Sequence, residues 1–356
     1  MAAAKKSVLD GIIYFFNVLA AVALLLSYLA YYISPDLTTI FAFFGLAYPV
    51  LLLANILMVL YWLFKLKRKI FLSIVCIGIG YFHLGRLYQF NGQKMLLSQD
   101  EGIKVMTYNM RHLGHTGSNT GTDNLTEIEK IVAEQNPDIL IVQEYNPYKD
   151  SKHFGYRYAL SKGGGSKITS GPVIFSKFKI IGSGVLPFNH EDKFHNTEFL
   201  YADIDVKGKT YRIFNVHFAS IGFQGQDYER LAHPEKGNSD EIKRDFKKIY
   251  LQLDEAFKSR ALQIEAVETA IEDSPYPVIL AGDFNDTPQS YTYHRVNLLL
   301  EDSFKESGQG FGRTYVNGPI PLRIDYIFHS TELTPYNYTV INKEFSDHYA
   351  NVVEFK

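Results

Sequence analysis

Two long stretches without a charged side chain restrict what the first third of this chain can fold into. Residues 11–33 and 37–64 contain no Asp, Glu, Lys or Arg, and each is longer than the roughly 20 residues that a membrane-spanning helix needs. A third apolar stretch ends at Arg86, which can snorkel to the membrane interface while the following residues complete the span. We therefore predict a membrane anchor over residues 1–95, with three transmembrane helices at 8–33, 37–64 and 70–90.

The positive charges beside these stretches indicate how the anchor is oriented. Lys5 and Lys6 precede the first stretch, and a basic loop at 65–69 separates the second from the third, whereas the link between the first and second has no cation. The positive-inside rule therefore places the N-terminus and the basic loop in the cytoplasm. If the third stretch spans, the rest of this integral membrane protein is extracytoplasmic. A cleaved signal peptide is the alternative for the first stretch, but no small-residue cleavage site follows it.

The composition changes sharply after residue 95. Residues 1–99 hold eight of the 36 basic residues and two of the 38 acidic ones, which leaves 28 basic and 36 acidic residues for the remaining part. A net charge of about −8 argues against a broad cationic surface for nucleic acid, although it is compatible with a local basic groove. The single cysteine, Cys76, lies in the third apolar stretch, so residues 100–356 have neither disulfides nor thiolate chemistry.

Short apolar strands alternate with helical segments and irregular loops in residues 100–356. Helical spacing of apolar residues predicts a helix over 124–136 and a longer one, of about 30 residues, that runs through 248–271. Runs rich in β-branched and aromatic residues predict a strand that begins at residue 278 and others at 103–109, 138–143, 172–176, 199–206, 211–218, 323–328 and 349–355.

Polar side chains fall at the ends of these strands, where a packed sheet can hold them rigidly. Taken singly, most have a plain explanation, since Asn and Asp form turns, a glutamate can be solvated and a histidine can lie in a core. Asp325 differs because its neighbours are apolar, and a buried carboxylate is costly unless a histidine or arginine pairs with it. The set contains four carboxylates, two histidines, an arginine and three amides: Asn109, Arg111, Glu144, Asn215, His217, Asp283, Asn285, Asp325, Asp347 and His348.

An oxygen-rich set of this kind favours a hard divalent cation such as Mg²⁺, with Mn²⁺ as the alternative. Zn²⁺ would favour more histidine or cysteine, and residues 100–356 contain no His-x-x-x-His or Cys-x-x-Cys pair. Phosphoester cleavage needs a cation that neutralises the phosphate, an activated water and a group that stabilises the departing oxygen. The residue types therefore favour a phosphoester substrate.

In chain order, the motifs TYNMR, VQEY, NVHF, GDFN, IDYIF and SDH resemble those of the endonuclease/exonuclease/phosphatase superfamily, which includes deoxyribonuclease-like and neutral-sphingomyelinase-like enzymes. The resemblance covers about residues 102–356 and leaves the apolar stretches outside it. It implies a catalytic domain over residues 100–356 with an α/β fold, a four-layer sandwich of two packed, mainly antiparallel sheets flanked by helices. The SRALQ segment at 259–263 also resembles an Arg and Gln that many members carry on the preceding helix.

The same resemblance implies a metal site and a water-activating group. Glu144 would be the main Mg²⁺ ligand, with Asn109 and Asp347 near the same face of the ion. His348, held and polarised by Asp325, would act on the attacking water or bind the phosphate.

The resemblance also implies groups that act on the water, the phosphate and the leaving group. Asp283 would orient or deprotonate the water, and which of Asp283 and His348 is the general base stays open. Arg111 would bind the phosphate, and Asn285 would donate to a phosphoryl oxygen. His217 would stabilise the developing charge or assist the leaving group, although the sequence assigns it no carboxylate partner. The residues after Asn285, at 286–288, are predicted to form the turn and cap of the next helix.

Three functions are compatible with these residues. The first is a membrane-anchored, metal-dependent phosphoesterase that hydrolyses a phosphodiester or phosphomonoester such as a lipid headgroup. The second is an extracytoplasmic endonuclease or exonuclease for DNA or RNA, with lysines of 161–167 and 234–248 along a groove. The third is a non-catalytic membrane module. The expected partners are a phosphoester substrate and the lipid bilayer, without an obligate protein partner. Substrate choice is assigned to the loops at 112–122, 146–170, 184–196 and 221–240.

Overall fold

Two six-stranded sheets form the centre of residues 103–355 in this computed structural model. The structure describes residues 2–90, 92–95, 102–114, 124–147, 153–162, 168–186, 199–222, 239–317 and 320–356. The strands are β1 (Ile103–Asn109), β2 (Ile139–Tyr145), β3 (Tyr158–Ser161), β4 (Gly171–Ser176), β5 (Lys179–Val185), β6 (Leu200–Val206), β7 (Lys209–His217), β8 (Val278–Asp283), β9 (Glu301–Asp302), β10 (Asp325–His329), β11 (Pro335–Ile341) and β12 (Ala350–Phe355).

The helices are α1 (Ala2–Leu29), α2 (Ile40–Leu46), α3 (Tyr48–Phe64), α4 (Ile70–Ile79), α5 (Tyr81–Leu87), α6 (Arg111–Gly114), α7 (Asn124–Gln135), α8 (Ser239–Glu272), α9 (Tyr291–Leu299) and α10 (Ser303–Ser307). The first sheet has the strand order β11-β12-β1-β2-β4-β3, and the second has the order β5-β6-β7-β8-β10-β9. The pairs β1–β2 and β7–β8 are parallel and the remaining described pairs are antiparallel. The sheets are therefore mainly antiparallel, as predicted.

The alternation of side chains along the strands places a core on both faces of each sheet. In β1, Val105 packs between the two sheets, whereas its neighbour Met106 faces outward and packs with Ile128 of α7. In the second sheet, Ile279 of β8 lies between the sheets and Leu280 packs outward with Ile264 of α8. Helix, sheet, sheet and helix thus form four layers, and the predicted α/β sandwich is confirmed.

The apolar N-terminal part forms one long helix and two bent pairs. Among the described helices, only the segment Val8–Leu29 of α1 is long and apolar enough to cross a membrane without a break. The spans predicted at 37–64 and 70–90 are each interrupted, because α2 and α3 meet at 65° and α4 and α5 meet at 69°. Three spans result only if each bent pair counts as one. The first helix also ends at Leu29 instead of residue 33.

Each bend has a cause in the sequence. Pro49 lies at the start of α3, where it has no N–H to donate and its ring excludes the carbonyl four residues earlier from the helix. The second bend is at Gly80, where a Cβ atom would overlap the ring of Tyr28. The Tyr28 hydroxyl donates to the carbonyl of Cys76 at 3.1 Å and thus stabilises this end of α4. A hydropathy profile does not show either bend.

A buried hydrogen-bond network holds α1, α3 and α4 together. Asn17 donates to the Ser73 hydroxyl at 2.6 Å, Ser73 donates to Asn55 at 2.9 Å, and the Trp62 indole donates to Asn17 at 2.8 Å. All four side chains are fully buried within the bundle. Polar groups that satisfy one another in this way are typical of packed helices in a lipid environment, where no water can replace a lost partner.

The N-terminal helices also pack directly against the sandwich. Phe43 of α2 stacks on Tyr250 of α8 with the ring centroids 5.0 Å apart. The Gln289 amide lies 2.9 Å from Nδ1 of His83 and donates to the carbonyl of Ser27 at 3.1 Å. Gln289 follows the loop of the GDFN motif, so these contacts connect the helices with the loop that carries Asp283 and Asn285.

Candidate active site

The polar strand ends meet at one edge of the sandwich. In the second sheet, Asp283 at the end of β8 lies in register with His217 at the end of β7 and with Asp325 at the start of β10. Asn109 and Glu144 reach the same place from the ends of β1 and β2 in the first sheet. Asp347 and His348, just before β12, complete the polar lining of a cavity of about 140 Å³. The structure thus brings together most of the site residues predicted from the sequence, with Asp325 bonded to His348 behind the lining. Arg111 lies beside the cavity, and Asn215 lies outside it, buried between the sheets, where it donates to the carbonyls of Val142 and Val173.

Asp283 lies at the centre of this cluster and is almost fully buried. Its carboxylate accepts hydrogen bonds from the Asn109 amide at 3.0 Å and from the backbone N–H of Asn285 at 2.7 Å. Nε2 of His217 is 3.6 Å and Nε2 of His348 is 3.7 Å from the same carboxylate oxygen. Two imidazole rings therefore flank one carboxylate, so an acceptor and two ring nitrogens converge at one point of the cavity.

His348 and Asp325 form a buried pair behind this carboxylate. Nδ1 of His348 is 2.9 Å from the Asp325 carboxylate. Burial alone would lower the pKa of His348, but the carboxylates of Asp325 and Asp283 raise it well above its usual value. Burial raises the pKa of Asp325 to about 6, despite the opposing effect of His348. We infer that the Asp325 carboxylate fixes the ring with Nδ1–H as the donor, so that Nε2 faces Asp283.

The outer rim of the cavity carries carboxylates and cations. Arg111 is 3.1 Å from Asp347, and Nε2 of His112 is 3.4 Å from Glu144. Glu144 also accepts from the Asn109 amide at 3.3 Å. His112 thus contacts a predicted metal ligand.

Four residues of the site and its rim, Arg111, His112, Glu144 and Asn285, have backbone angles that side chains other than glycine seldom adopt. Glu144 has a φ of 52° and Asn285 a φ of 50°, both in the left-handed region. Such angles cost free energy and persist where the surrounding structure imposes them, often at functional sites. The glycine of the GDFN motif has a separate reason: a Cβ on Gly282 would overlap the carbonyl of Val216 on β7.

Buried side chains of α8 hold the loops that carry the site. The Arg260 guanidinium donates to Asp286 at 3.0 Å and to the carbonyl of Ala219 at 2.8 Å, and Gln263 accepts from the N–H of Ala219 at 2.9 Å. Asp286 therefore pairs with Arg260 and does not cap the next helix. The prediction of that cap was wrong, because Ser290 accepts from the N–H of Tyr293 and is the N-cap of α9.

A comparison with protein families identifies this arrangement. The sequence profile of the Endonuclease/Exonuclease/phosphatase family matches residues 106–348 of the 356-residue chain. The protein belongs to this family. It is therefore a hydrolase of phosphoester bonds. A second profile, described as a domain of unknown function (DUF8431), matches residues 10–87, the region of the N-terminal helices.

Solved structures share the fold of this family member at low identity. A functionally unknown conserved protein from Enterococcus faecalis is 16% identical, with a TM-score of 0.51 over 71% of this chain and 99% of its own. An endonuclease/exonuclease/phosphatase family protein from Bacteroides thetaiotaomicron is 20% identical, with a TM-score of 0.50 over 71% and 94%. TDP2 from Caenorhabditis elegans is 18% identical, with a TM-score of 0.50 over 73% and 76%. No curated protein sequence matches the chain.

Enzymes of this family use divalent metals, and two groups of residues have suitable donor atoms. Donor atoms of Asp283, Asp325 and His348 all lie within 4.8 Å of one another. These three side chains are buried, however, and Mg²⁺ gives up its water shell reluctantly. Glu144 and Asp347 have 28% and 17% of their side-chain surface exposed, so they fit a partly hydrated ion better.

Apolar side chains also line the cavity. These are Phe257 of α8, Ile221, Leu322 and Ile324, and Leu46 at the end of α2. Leu46 belongs to the N-terminal helices and lies outside the region that the family profile matches. The sequence could not indicate this contribution, because nothing local in residues 37–64 distinguishes a residue that lines a distant cavity from one that faces lipid.

Proposed function

We propose that this protein is a membrane-anchored, divalent-metal-dependent phosphoesterase whose substrate is a lipid headgroup phosphoester. Residues 1–95 form the anchor and residues 100–356 the catalytic domain. One observation carries the proposal: Leu46, from the bent pair α2–α3, lines the same cavity as Asp283 and His348. An anchor that only tethered the enzyme would not need to contribute to the wall of its active site.

The side chains of the cavity have distinct roles in this proposal. Asp283 orients the attacking water and accepts its proton. His348, whose raised pKa keeps it protonated, binds the phosphate through Nε2–H, and Asp325 positions its ring. His217 acts at the departing oxygen, and its Nε2 lies 3.6 Å from the Asp283 carboxylate and 3.8 Å from that of Glu144. Because catalysis by such groups depends on position, their rigid placement at strand ends suits the task.

The metal and phosphate contacts lie on the outer side of the cavity. Glu144, with Asn109 and Asp347, would hold Mg²⁺ or Mn²⁺, and a cation bound there neutralises the phosphate charge. Asn285 donates to the carbonyl of Phe218 at 3.0 Å and to Asp283 at 3.3 Å. A phosphoryl oxygen takes over the longer of these two bonds, and Arg111 binds the phosphate from the rim.

The placement of the basic loop supports the orientation inferred from the sequence. Lys65, at the start of that loop, pairs with Asp10 near the beginning of α1 at 3.3 Å. The opposite ends of the helices contact the sandwich, where Arg323 donates to the carbonyl of Arg86 at 3.0 Å. A cytoplasmic basic loop would therefore put the catalytic domain outside the cytoplasm.

Two phosphodiesters that differ only in an alkyl chain test the proposal. We expect the full-length protein to hydrolyse dodecyl p-nitrophenyl phosphate with a higher kcat/KM than methyl p-nitrophenyl phosphate. The reason is that the dodecyl group can bury apolar surface against Leu46. Replacing Leu46 with serine should lower this preference about 5- to 30-fold, as expected for a contact of about 1–2 kcal/mol. The measurement is p-nitrophenol release by detergent-solubilised enzyme below the critical micelle concentration of the dodecyl ester.

Leu298→Ser serves as the matched control, because Leu298 is 64% exposed on α9 and does not line the cavity. Equal rates on the two esters for wild-type enzyme, or the same loss of preference in both variants, would contradict a lipid substrate.

The nuclease alternative rests on Arg111 and on the two histidines beside Asp283. The acidic balance of residues 100–356 opposes it, and residues 163–167 and 234–238 of the proposed lysine groove lie outside the described residues. The loops to which substrate choice is assigned are also described only in part. The non-catalytic alternative is set aside, because the family consists of hydrolases.

A further inference from the structure

The first half of helix α8 contains no fully buried residue. The helix runs for 34 residues from Ser239 to Glu272, and its first buried residue is Ala256. At 1.5 Å per residue, the part before Ala256 is about 25 Å long. We call this part, residues 239–255, the overhang of α8. A helix of this length without buried residues calls for another surface to stabilise it.

The overhang is amphipathic. Five of its apolar residues recur at helical spacing and form one stripe: Ile242, Phe246, Ile249, Tyr250 and Leu253. Leu251, which is 52% exposed, lies on the other face. Phe246 and Tyr250 in this stripe are 55% and 50% exposed. Lys243, Arg244, Lys247 and Lys248 flank this stripe or lie opposite it in the middle of the overhang, and we call these four cations the basic face. Asp245 lies among them, and the other acidic residues of the overhang lie at its two ends: Asp240, Glu241, Asp254 and Glu255. Half-exposed aromatic residues opposite a basic face are the features of a helix that lies in a membrane interface.

The stripe is continuous with the N-terminal helices and with the cavity. The ring of Phe43, on α2, stacks on Tyr250 and contacts the edge of Phe257, with centroids 5.0 Å and 5.3 Å apart. Thr39, just before α2, donates to Asp254 of α8. Phe257 continues the stripe by one turn and lines the cavity beside Leu46. The apolar face thus extends from the overhang to the active site along the seam between α2 and α8.

We propose that the overhang of α8 lies in the interface of the bilayer that the N-terminal helices cross. Its stripe enters the boundary between headgroups and acyl chains, and its basic face contacts anionic headgroups. The inference rests on the proposed membrane anchor and adds a second, parallel contact with the membrane. It also gives a lipid a continuous apolar path from the bilayer to the cavity.

Depth-dependent quenching tests this placement without relying on catalysis. The full chain is prepared in nanodiscs with Cys76→Ala to remove the native thiol, and a single cysteine at Phe246→Cys carries an environment-sensitive NBD group. Leu262→Cys is the matched control, because Leu262 is 55% exposed on the same helix beside the sandwich. We expect lipids with a doxyl group near the headgroup to quench the Phe246 label at least about twofold and the Leu262 label little.

The outcomes separate the inference from the proposed function. Equal, weak quenching of both labels in well-formed discs would overturn the placement of the overhang, while leaving the anchor and the substrate proposal intact. Failure of the full chain to enter discs would instead overturn the anchor itself. Energy transfer between Phe246 labels on two copies, without lipid quenching, would assign the stripe to a homodimer and also overturn the inference.

Charge reversal tests the basic face. The triple variant Lys243→Glu, Arg244→Glu and Lys247→Glu should lower quenching of the Phe246 label in discs with phosphatidylserine. In neutral phosphatidylcholine discs the same substitutions should change the quenching of this label much less, because a neutral membrane has no negative surface potential to attract the basic face. An equal effect in both lipids would contradict a role of anionic headgroups.

Discussion

Replacing His348 with alanine is expected to lower kcat/KM by about 10³-fold, within the range that a positioned general acid or base contributes. The expectation follows from the geometry: Nε2 of His348 lies 3.7 Å from Asp283, and Nδ1 is bound to Asp325 at 2.9 Å. Initial rates on an aryl phosphodiester measure the effect. Because His348 is buried, thermal unfolding of each variant must be recorded alongside, so that lost activity is not confused with lost protein.

Asp325→Asn shows whether the two residues act as a unit. We expect it to lower kcat by about 10²-fold or more with little change in KM, since the neutral amide no longer orients the His348 ring or stabilises its charge. The double variant should be no slower than His348→Ala, because Asp325 acts only through the ring. His329→Gln is the control: His329 is equally buried on β10 but lies outside the cavity. Additive losses in the double variant would contradict this account.

Replacing Glu144 with glutamine should raise the Mg²⁺ concentration for half-maximal activity by on the order of 100-fold, which corresponds to about 2.7 kcal/mol of binding free energy. The change removes one negative charge and keeps the shape of the side chain. EDTA should abolish activity of the wild type, and Mg²⁺ or Mn²⁺ should restore it.

Unfolding provides a readout of metal binding that does not depend on turnover. Mg²⁺ at about 100 times its Kd should stabilise the wild type by about 2.7 kcal/mol and the Glu144→Gln variant far less. Glu127→Gln, which removes an exposed carboxylate paired with Lys130 at 2.6 Å on α7, is the matched control. If both variants keep the wild-type Mg²⁺ response, the ion is held elsewhere, and the buried cluster of Asp283, Asp325 and His348 becomes the candidate.

The strands near the site were predicted well because they are buried, and runs of β-branched and aromatic residues are typical of buried strands. Strand β1 occupies 103–109 as predicted, and α7 ends one residue before the predicted boundary. Asp325 was expected to need a buried partner, and His348 provides it. A charged side chain in a protein core is costly unless it is paired, so the apolar neighbours of Asp325 were enough to predict that it has a partner.

Features that depend on distant contacts could not be predicted in the same way. The partners of Gln289 are Ser27 and His83, which lie more than 200 positions away in the chain. Strands β4 and β5 are separated by only two residues, but they belong to different sheets. No local pattern distinguishes a turn within one sheet from a crossing between two.

The interface between the helices and the sandwich also determines how the enzyme should be studied. Removing residues 1–95 would expose the contacts of Tyr250, Gln289 and Arg323 with α1, α2 and α5. It would also remove Leu46 from the cavity wall. Tests of substrate choice therefore require the full chain, and a truncated catalytic part could lose lipid activity for reasons unrelated to chemistry.

The most direct test is hydrolysis by the full chain in nanodiscs of mixed phospholipid and sphingolipid, with supercoiled plasmid DNA added to the same reaction. Headgroup release is followed by mass spectrometry and nicking by gel, each with Mg²⁺, with EDTA and with the His348→Ala variant. We predict release of a lipid headgroup that EDTA and His348→Ala abolish, with the plasmid intact. Nicking of the plasmid that both controls abolish, with the lipids unchanged, would contradict the proposal and make the protein an anchored nuclease.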